Sequence, residues 1–186
     1  MLLPPLYTLG TLCVAVAQDP IVTVRNGSYS GLHLPQFKQD IFLGIPYAQD
    51  TGGSNRFRIP QSLNTTWEGT RAAKRYGNSC PDVDSQDYID LYGMSENCLS
   101  INVVRPASLA EDAKLPVMVW IHGGSYQVGS SARPDYNLTY FVERSVEIGE
   151  PIVATSINYR KGGWGNMYSI EIQASDPASR HVGYNC

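Results

Sequence analysis

Residues Trp120-Ile121-His122-Gly123-Gly124-Ser125-Tyr126 run from an apolar stretch directly into glycines. The pattern reads as a buried strand opening into a loop that serves acyl chemistry. Backbone N–H groups in such a loop face the negative charge that develops on a scissile carbonyl oxygen. Small residues are needed because main chain must approach the substrate closely. The attacking group is missing from the pattern. No Ser has Gly both two residues before and two residues after it, so the G-x-S-x-G nucleophile elbow is absent. The residue types announce oxyanion stabilisation without a nucleophile, and no catalytic residue is assigned in this chain.

The elements that must position this loop belong to a chain of 186 residues, 42% hydrophobic and 17% charged, enough for one globular domain. A net charge of −3 and a pI near 5.5 give no reason to expect a nucleic-acid partner. There is no run of like charge, no low-complexity tract and no internal repeat. No CxxC pair or Cys/His cluster is present, so no metal site is expected.

Residues 1–17 read as a secretory signal. Leu6 to Val16 is apolar but too short to span a bilayer, and Ala15-Val16-Ala17 supplies a small-x-small cleavage site before Gln18. The alternative is a buried N-terminal strand or helix. No other apolar stretch is long enough for a membrane span. Secretion would remove Cys13 and leave Cys80, Cys98 and Cys186. Cys80 and Cys98 bracket a polar, acidic loop and can pair in an oxidising compartment, worth about 3 kcal/mol on the chain-entropy view. The alternative is two buried free thiols. Three sequons fit the same route, at Asn26, Asn64 and Asn137.

Ile21 to Arg25, Asn26-Gly27 and Tyr29 to Leu32 predict a hairpin. Asp40 to Ala48 predicts a strand that ends at Pro46. Gln49 to Thr66 is rich in Gly, Ser, Asn and Pro and predicts a long surface excursion. Leu99 to Arg105 alternates with period two. Leu115 to Ile121 is a continuous apolar run suited to a strand buried on both faces. Leu138, Phe141, Val142 and Ile148 are spaced for one helix face. Ile152 to Asn158 predicts another strand. This order fits an α/β mixed sheet, antiparallel at its N-terminal end and parallel inside.

Four segments, in order, resemble the N-terminal portion of the type-B carboxylesterase/lipase family, which includes the cholinesterases. They are Phe42-Leu-Gly-Ile-Pro-Tyr-Ala48 with Arg56-Phe57, Pro60 and Trp67; Glu96-Asn97-Cys98-Leu99-Ser100-Ile101-Asn102-Val103; His122 to Tyr126 with Gly129-Ser130; and Asn158-Tyr159-Arg160 with Gly162 and Gly165. The resemblance implies an incomplete α/β-hydrolase sheet over residues 18–173 and carboxylic-ester hydrolysis through an acyl-serine intermediate, without a cofactor. The substrate would be a small-molecule or lipid ester.

By the same resemblance, Gly124 and Ser125 donate the oxyanion N–H groups, Gly123 gives the turn its freedom, and His122 is a positioning residue. Cys80–Cys98 matches a disulfide-closed loop over the active-site gorge; its shortness favours an esterase over an interface-activated lipase. Arg56 and Glu96 are expected to form a buried structural ion pair. Asn97 stands where Asp is usual. Tyr126, Tyr159 and Trp164 are candidate gorge aromatics. His33 is expected at the surface, and neither His33 nor His181 stands in the place of the family's catalytic His.

After Gln173 the family pattern stops, and residues 174–186 match nothing. A frameshift, a retained intron or an incorrect gene model near residue 173 is the expected origin. Such a chain is expected to fold poorly and turn over no ester. The alternative function is a non-catalytic secreted binding module of cholinesterase type. The sequence gives no oligomeric state.

Overall fold

The computed structural model describes residues 18–83, 91–110, 112–167 and 169–175. The leader reading of residues 1–17, His181 and Cys186 lie outside these. No helix among the described residues is long and apolar enough to cross a membrane.

β1 (Ile21–Val24) and β2 (Gly27–Ser30) form the expected antiparallel hairpin around Asn26-Gly27. A Cβ on Gly27 would come within 2.4 Å of the Trp67 ring, so glycine there admits the indole. Trp67 meets Tyr29 edge-on at 5.1 Å, beside buried Phe42 and Ala73. The larger sheet contains β3 (Leu32–Leu34) and β4 (Gln39–Pro46). Between them and the rest comes β5 (Thr70–Ala72), which the sequence reading missed; it pairs parallel with β2.

β6 (Ser100–Pro106), β7 (Val117–Ile121) and β8 (Val153–Ile157) complete the larger sheet in the order β3-β4-β6-β8-β7. It is antiparallel from β3 through β8 and turns parallel at β8·β7, the switch the sequence predicts. The register shifts between Phe42 and Ile45. Gly44 sits in that bulge at φ +68°, where a Cβ would approach the Arg75 carbonyl to 2.5 Å.

α1 (Thr139–Glu147) packs on β6 and β8 through Leu138 and Val142, against Val104 and Ala154. The Asn137 Oδ1 accepts from the Thr139 N–H at 3.1 Å and its hydroxyl at 2.8 Å, which caps the helix start. The inward face is Leu138, Val142 and Ser145. Phe141 and Ile148, expected on that face, are exposed, because both sit off the i, i+4, i+7 line on which the buried residues fall. Two short helices follow, α2 (Gly162–Asn166) and α3 (Ile170–Ser175).

β7 departs from expectation. Val117, Val119 and Ile121 are 60%, 55% and 61% exposed, while Met118 and Trp120 pack toward α1. β7 is an edge strand, covered on one face only, because among the described residues nothing pairs with its free edge. An uncharged apolar edge strand invites self-association. Val119→Lys is therefore expected to raise the monomeric fraction of the purified chain in size-exclusion chromatography. An unchanged profile would show that association starts elsewhere.

Candidate functional site

β7 and β8 run parallel with Ile121 paired to Ile157, so the residues that follow them, His122 and Asn158, leave the sheet side by side. The loop after β7 rises to the surface. His122 is buried, whereas Gly123, Ser125 and Tyr126 are exposed. Gly124 adopts φ +118°, Ser125 +54° and Tyr126 +59°. A Cβ on Gly124 would reach 2.0 Å from the Val128 carbonyl, so this position admits glycine alone without main-chain movement. The Gly124 carbonyl accepts from the N–H of Gln127 at 2.9 Å and of Val128 at 3.1 Å, closing the turn. The N–H groups of Gly124 and Ser125 donate to no acceptor among the described residues. Two adjacent unused donors at an exposed turn can receive an anionic oxygen.

The turn's need for glycine falls on Gly124 and not on Gly123. Gly123 lacks a positive φ, and a Cβ there would meet nothing within 4 Å.

His122 Nδ1 lies 2.9 Å from the Gly123 carbonyl. A carbonyl only accepts, so the proton sits on Nδ1. Burial, more than any neighbouring group, pushes the imidazole pKa below its ordinary value. The ring is neutral at pH 7, and its Nε2 has no hydrogen-bond partner among the described residues. It stacks on Tyr159 at 4.4 Å. These contacts make His122 a support for the loop.

Residues 159–162 hold the loop at three points. The Tyr159 hydroxyl donates to the His122 carbonyl at 2.8 Å. The Gly162 N–H donates to the Tyr126 carbonyl at 2.7 Å. The Lys161 ammonium donates to the Gly129 carbonyl and to the Asp82 carboxylate, with both side chains fully buried. Burial lowers the Lys161 pKa, and the bond to Asp82 opposes it. Asn158 ties the neighbouring segment: its Oδ1 accepts from the Ser131 N–H at 2.8 Å, and its Nδ2 donates to the Asn78 carbonyl at 3.0 Å.

Cys80 and Cys98 are joined, with Cα atoms 5.0 Å apart. Arg56 meets Glu96 in a two-pronged bond of 2.5 and 2.7 Å. This pair is not buried as expected; Arg56 is 50% and Glu96 20% exposed, so water screens it. Arg56 holds the Glu96 carboxyl below its ordinary value of 4.5, and Trp164 lines the same cavity as Glu96. Trp164 thus faces the disulfide segment. Tyr126 stands 6.3 Å from Tyr159, edge-on, and is itself exposed. His33, expected at the surface, is half-buried and bonded to Asp40 at 2.9 Å.

Of the sequons, Asn64 and Asn137 are exposed. Asn26 is half-buried, and its Nδ2 donates to the carbonyls of Thr65 at 2.8 Å and Leu63 at 3.3 Å. The loop lines neither the 380 Å³ cavity between Ile41, Asn102 and Tyr136 nor the 470 Å³ cavity between Phe57, Glu96 and Trp164. Its setting is open to solvent.

With this geometry in hand, comparison with known proteins is decisive. The model of the carboxylesterase family matches residues 18–175. The chain belongs to the carboxylesterase family. It is 37% identical over 174 residues to a secreted lipase of Arthroderma benhamiae, covering 91% of this chain and 31% of that one. It is 39% identical over 132 residues to the inactive carboxylesterase-like protein VdtD of Byssochlamys spectabilis, covering 69% and 23%. Its fold is similar to Aspergillus niger EstA, with a TM-score of 0.73 at 32% identity over 84% of this chain and 29% of that one. The mixed sheet is thus the N-terminal part of an α/β-hydrolase fold. The chain spans about a third of the length of curated relatives such as Geotrichum candidum lipase 1.

Sequence reading missed Lys161 and Asp82. A lone Lys among glycines and aromatics, after Asn158-Tyr159-Arg160, was the available signal.

Two predictions follow from these contacts. Glu96 has a depressed folded-state pKa, so its stabilisation is present above pH 4.5 and lost as pH falls through the lower folded value. The urea midpoint of the wild type should exceed that of Glu96→Gln at pH 7, and the gap should close in acid; a constant gap contradicts the pair. Glycan mapping of chain expressed with a secretion leader in a eukaryotic host should find Asn64 and Asn137 occupied and Asn26 bare, since both Asn26 amide hydrogens are used within the fold. A fully occupied Asn26 contradicts this.

Proposed function

We propose that this chain supplies the oxyanion half of a carboxylic-ester hydrolysing site. The observation that carries this reading is the pair of unused N–H groups on Gly124 and Ser125 at an exposed, left-handed turn. In the reaction a serine Oγ from outside these residues adds to the ester carbonyl, its proton passes to a base that also lies outside them, and the carbonyl π pair moves onto oxygen. The two N–H groups donate hydrogen bonds to that oxyanion, and collapse expels the alcohol, which leaves with the proton the serine gave up, and leaves an acyl-serine for water to cleave. One such donor is worth about 10²–10³ in kcat. The 186 residues contain the donors and no G-x-S-x-G serine, so on this reading the chain alone turns over no ester. Membership of the carboxylesterase family supports an ester as substrate, and we take it to be a small-molecule or lipid ester.

The chain is assigned to the secretory route. The Cys80–Cys98 disulfide, exposed sequons and a secreted lipase relative support this. A second reading, a secreted module that binds without catalysis, is favoured by one observation: the similar protein VdtD is named inactive.

The test has two arms. The purified 186-residue chain is assayed on p-nitrophenyl butyrate, where no saturable hydrolysis is expected; saturable turnover overturns the half-site reading. Residues 18–173 are also fused in frame to the remaining part of A. niger EstA. The fusion is expected to hydrolyse the ester, and Gly124→Ala to lower kcat by about 10²–10³ with KM nearly unchanged. An inactive but folded fusion favours the binding module, and an unaffected Gly124→Ala variant in an active fusion overturns the donor role of the loop.

A further inference from the structure

We propose that Lys161, neutralised by Asp82, is the positioning residue of the loop that carries the Gly124 and Ser125 donors.

Lys161 and Asp82 form an ion pair whose side chains are wholly shielded from solvent. Such a pair needs a reason beyond stability, because well-packed apolar residues in its place are often as stable or more so. The reason here is the third member. The same ammonium donates to the Gly129 carbonyl, which comes from the far end of the oxyanion loop. An ammonium offers three donors and no acceptor, so one charge can hold both groups at once.

Fixing Gly129 fixes the start of the loop. Gly129 lies at φ +110° with its Cα pressed against His122-Gly123: a Cβ there would fall 2.7 Å from the Gly123 carbonyl and 2.8 Å from His122 Nδ1. That Gly123 carbonyl is the acceptor of His122 Nδ1. Lys161 therefore sets Gly129, Gly129 abuts Gly123, and Gly123 leads into the two donors. Asp82 stands two residues beyond Cys80, so the disulfide anchors the counter-ion. Residues far apart in sequence, at 82, 129 and 161, meet at one buried point behind the loop.

The proposal extends the ester-hydrolysis reading of the loop but is tested without any ester. Hydrogen–deuterium exchange with mass spectrometry is run on the full 186-residue chain, following peptides over 122–130 and over 139–148 in α1. The variants are Lys161→Met and the apolar pair Lys161→Met/Asp82→Leu. The double variant removes both members of the Lys161–Asp82 pair, so neither is left without the other, and exchange over 139–148 reports whether the fold is kept. Exchange in 122–130 is expected to rise at least tenfold in both variants, with 139–148 unchanged in the double variant. Wild-type exchange over 122–130 in the double variant overturns the proposal. Equal acceleration of both segments in the double variant also overturns it, since that reports a general structural role. If the fusion with EstA proves inactive, the exchange result stands, so the two readings fail separately.

Discussion

The loop after β7 keeps two consecutive non-glycine residues, Ser125 and Tyr126, in left-handed conformation. Each costs about 1–3 kcal/mol, so the surroundings must over-determine them. Three hydrogen bonds from residues 159–162 do this, at the carbonyls of His122, Tyr126 and Gly129. Each returns about 1 kcal/mol net, with more where the charge of Lys161 is involved. Strain and restraint are therefore of similar size. No one bond is spare, and the donors of Gly124 and Ser125 stay unpaired because the main chain around them is held from behind.

The larger sheet makes this possible. Its antiparallel part, β3-β4-β6-β8, is a scaffold, and the one change of direction at β8·β7 brings two strand ends out together. In parallel sheets, sites form where carboxyl ends of neighbouring strands meet. Ile121 and Ile157 are partners, so the loop and its restraint emerge at the same height. The disulfide and the Arg56–Glu96 pair tie down the segment that delivers Asp82.

What sequence reveals here is local. Asn26-Gly27 marks its hairpin, His122-Gly123-Gly124 its loop, and the change from alternating to continuous apolar pattern marks the passage from β6 to β7. What sequence conceals is relational. An apolar run does not say whether a second strand will lie beside it, so β7 reads as central although it is an edge. A nine-residue helix has room for two apolar stripes, and only packing decides that Val142 turns in and Phe141 out. Lys161 and Asp82 are 79 residues apart, and nothing local in either announces the other. Ser125 and Tyr126 carry no mark of left-handedness, since side-chain type favours the opposite.

The central claim is that the loop holds its donors ready before any substrate arrives. The most direct measurement is the backbone conformation of Ser125 and Tyr126 in the unliganded chain, read by NMR from intraresidue HN–Hα distances and couplings. The account predicts the short HN–Hα distance of a positive φ at both residues. Negative φ at either would mean a collapsed turn with its donors misplaced, and would contradict it.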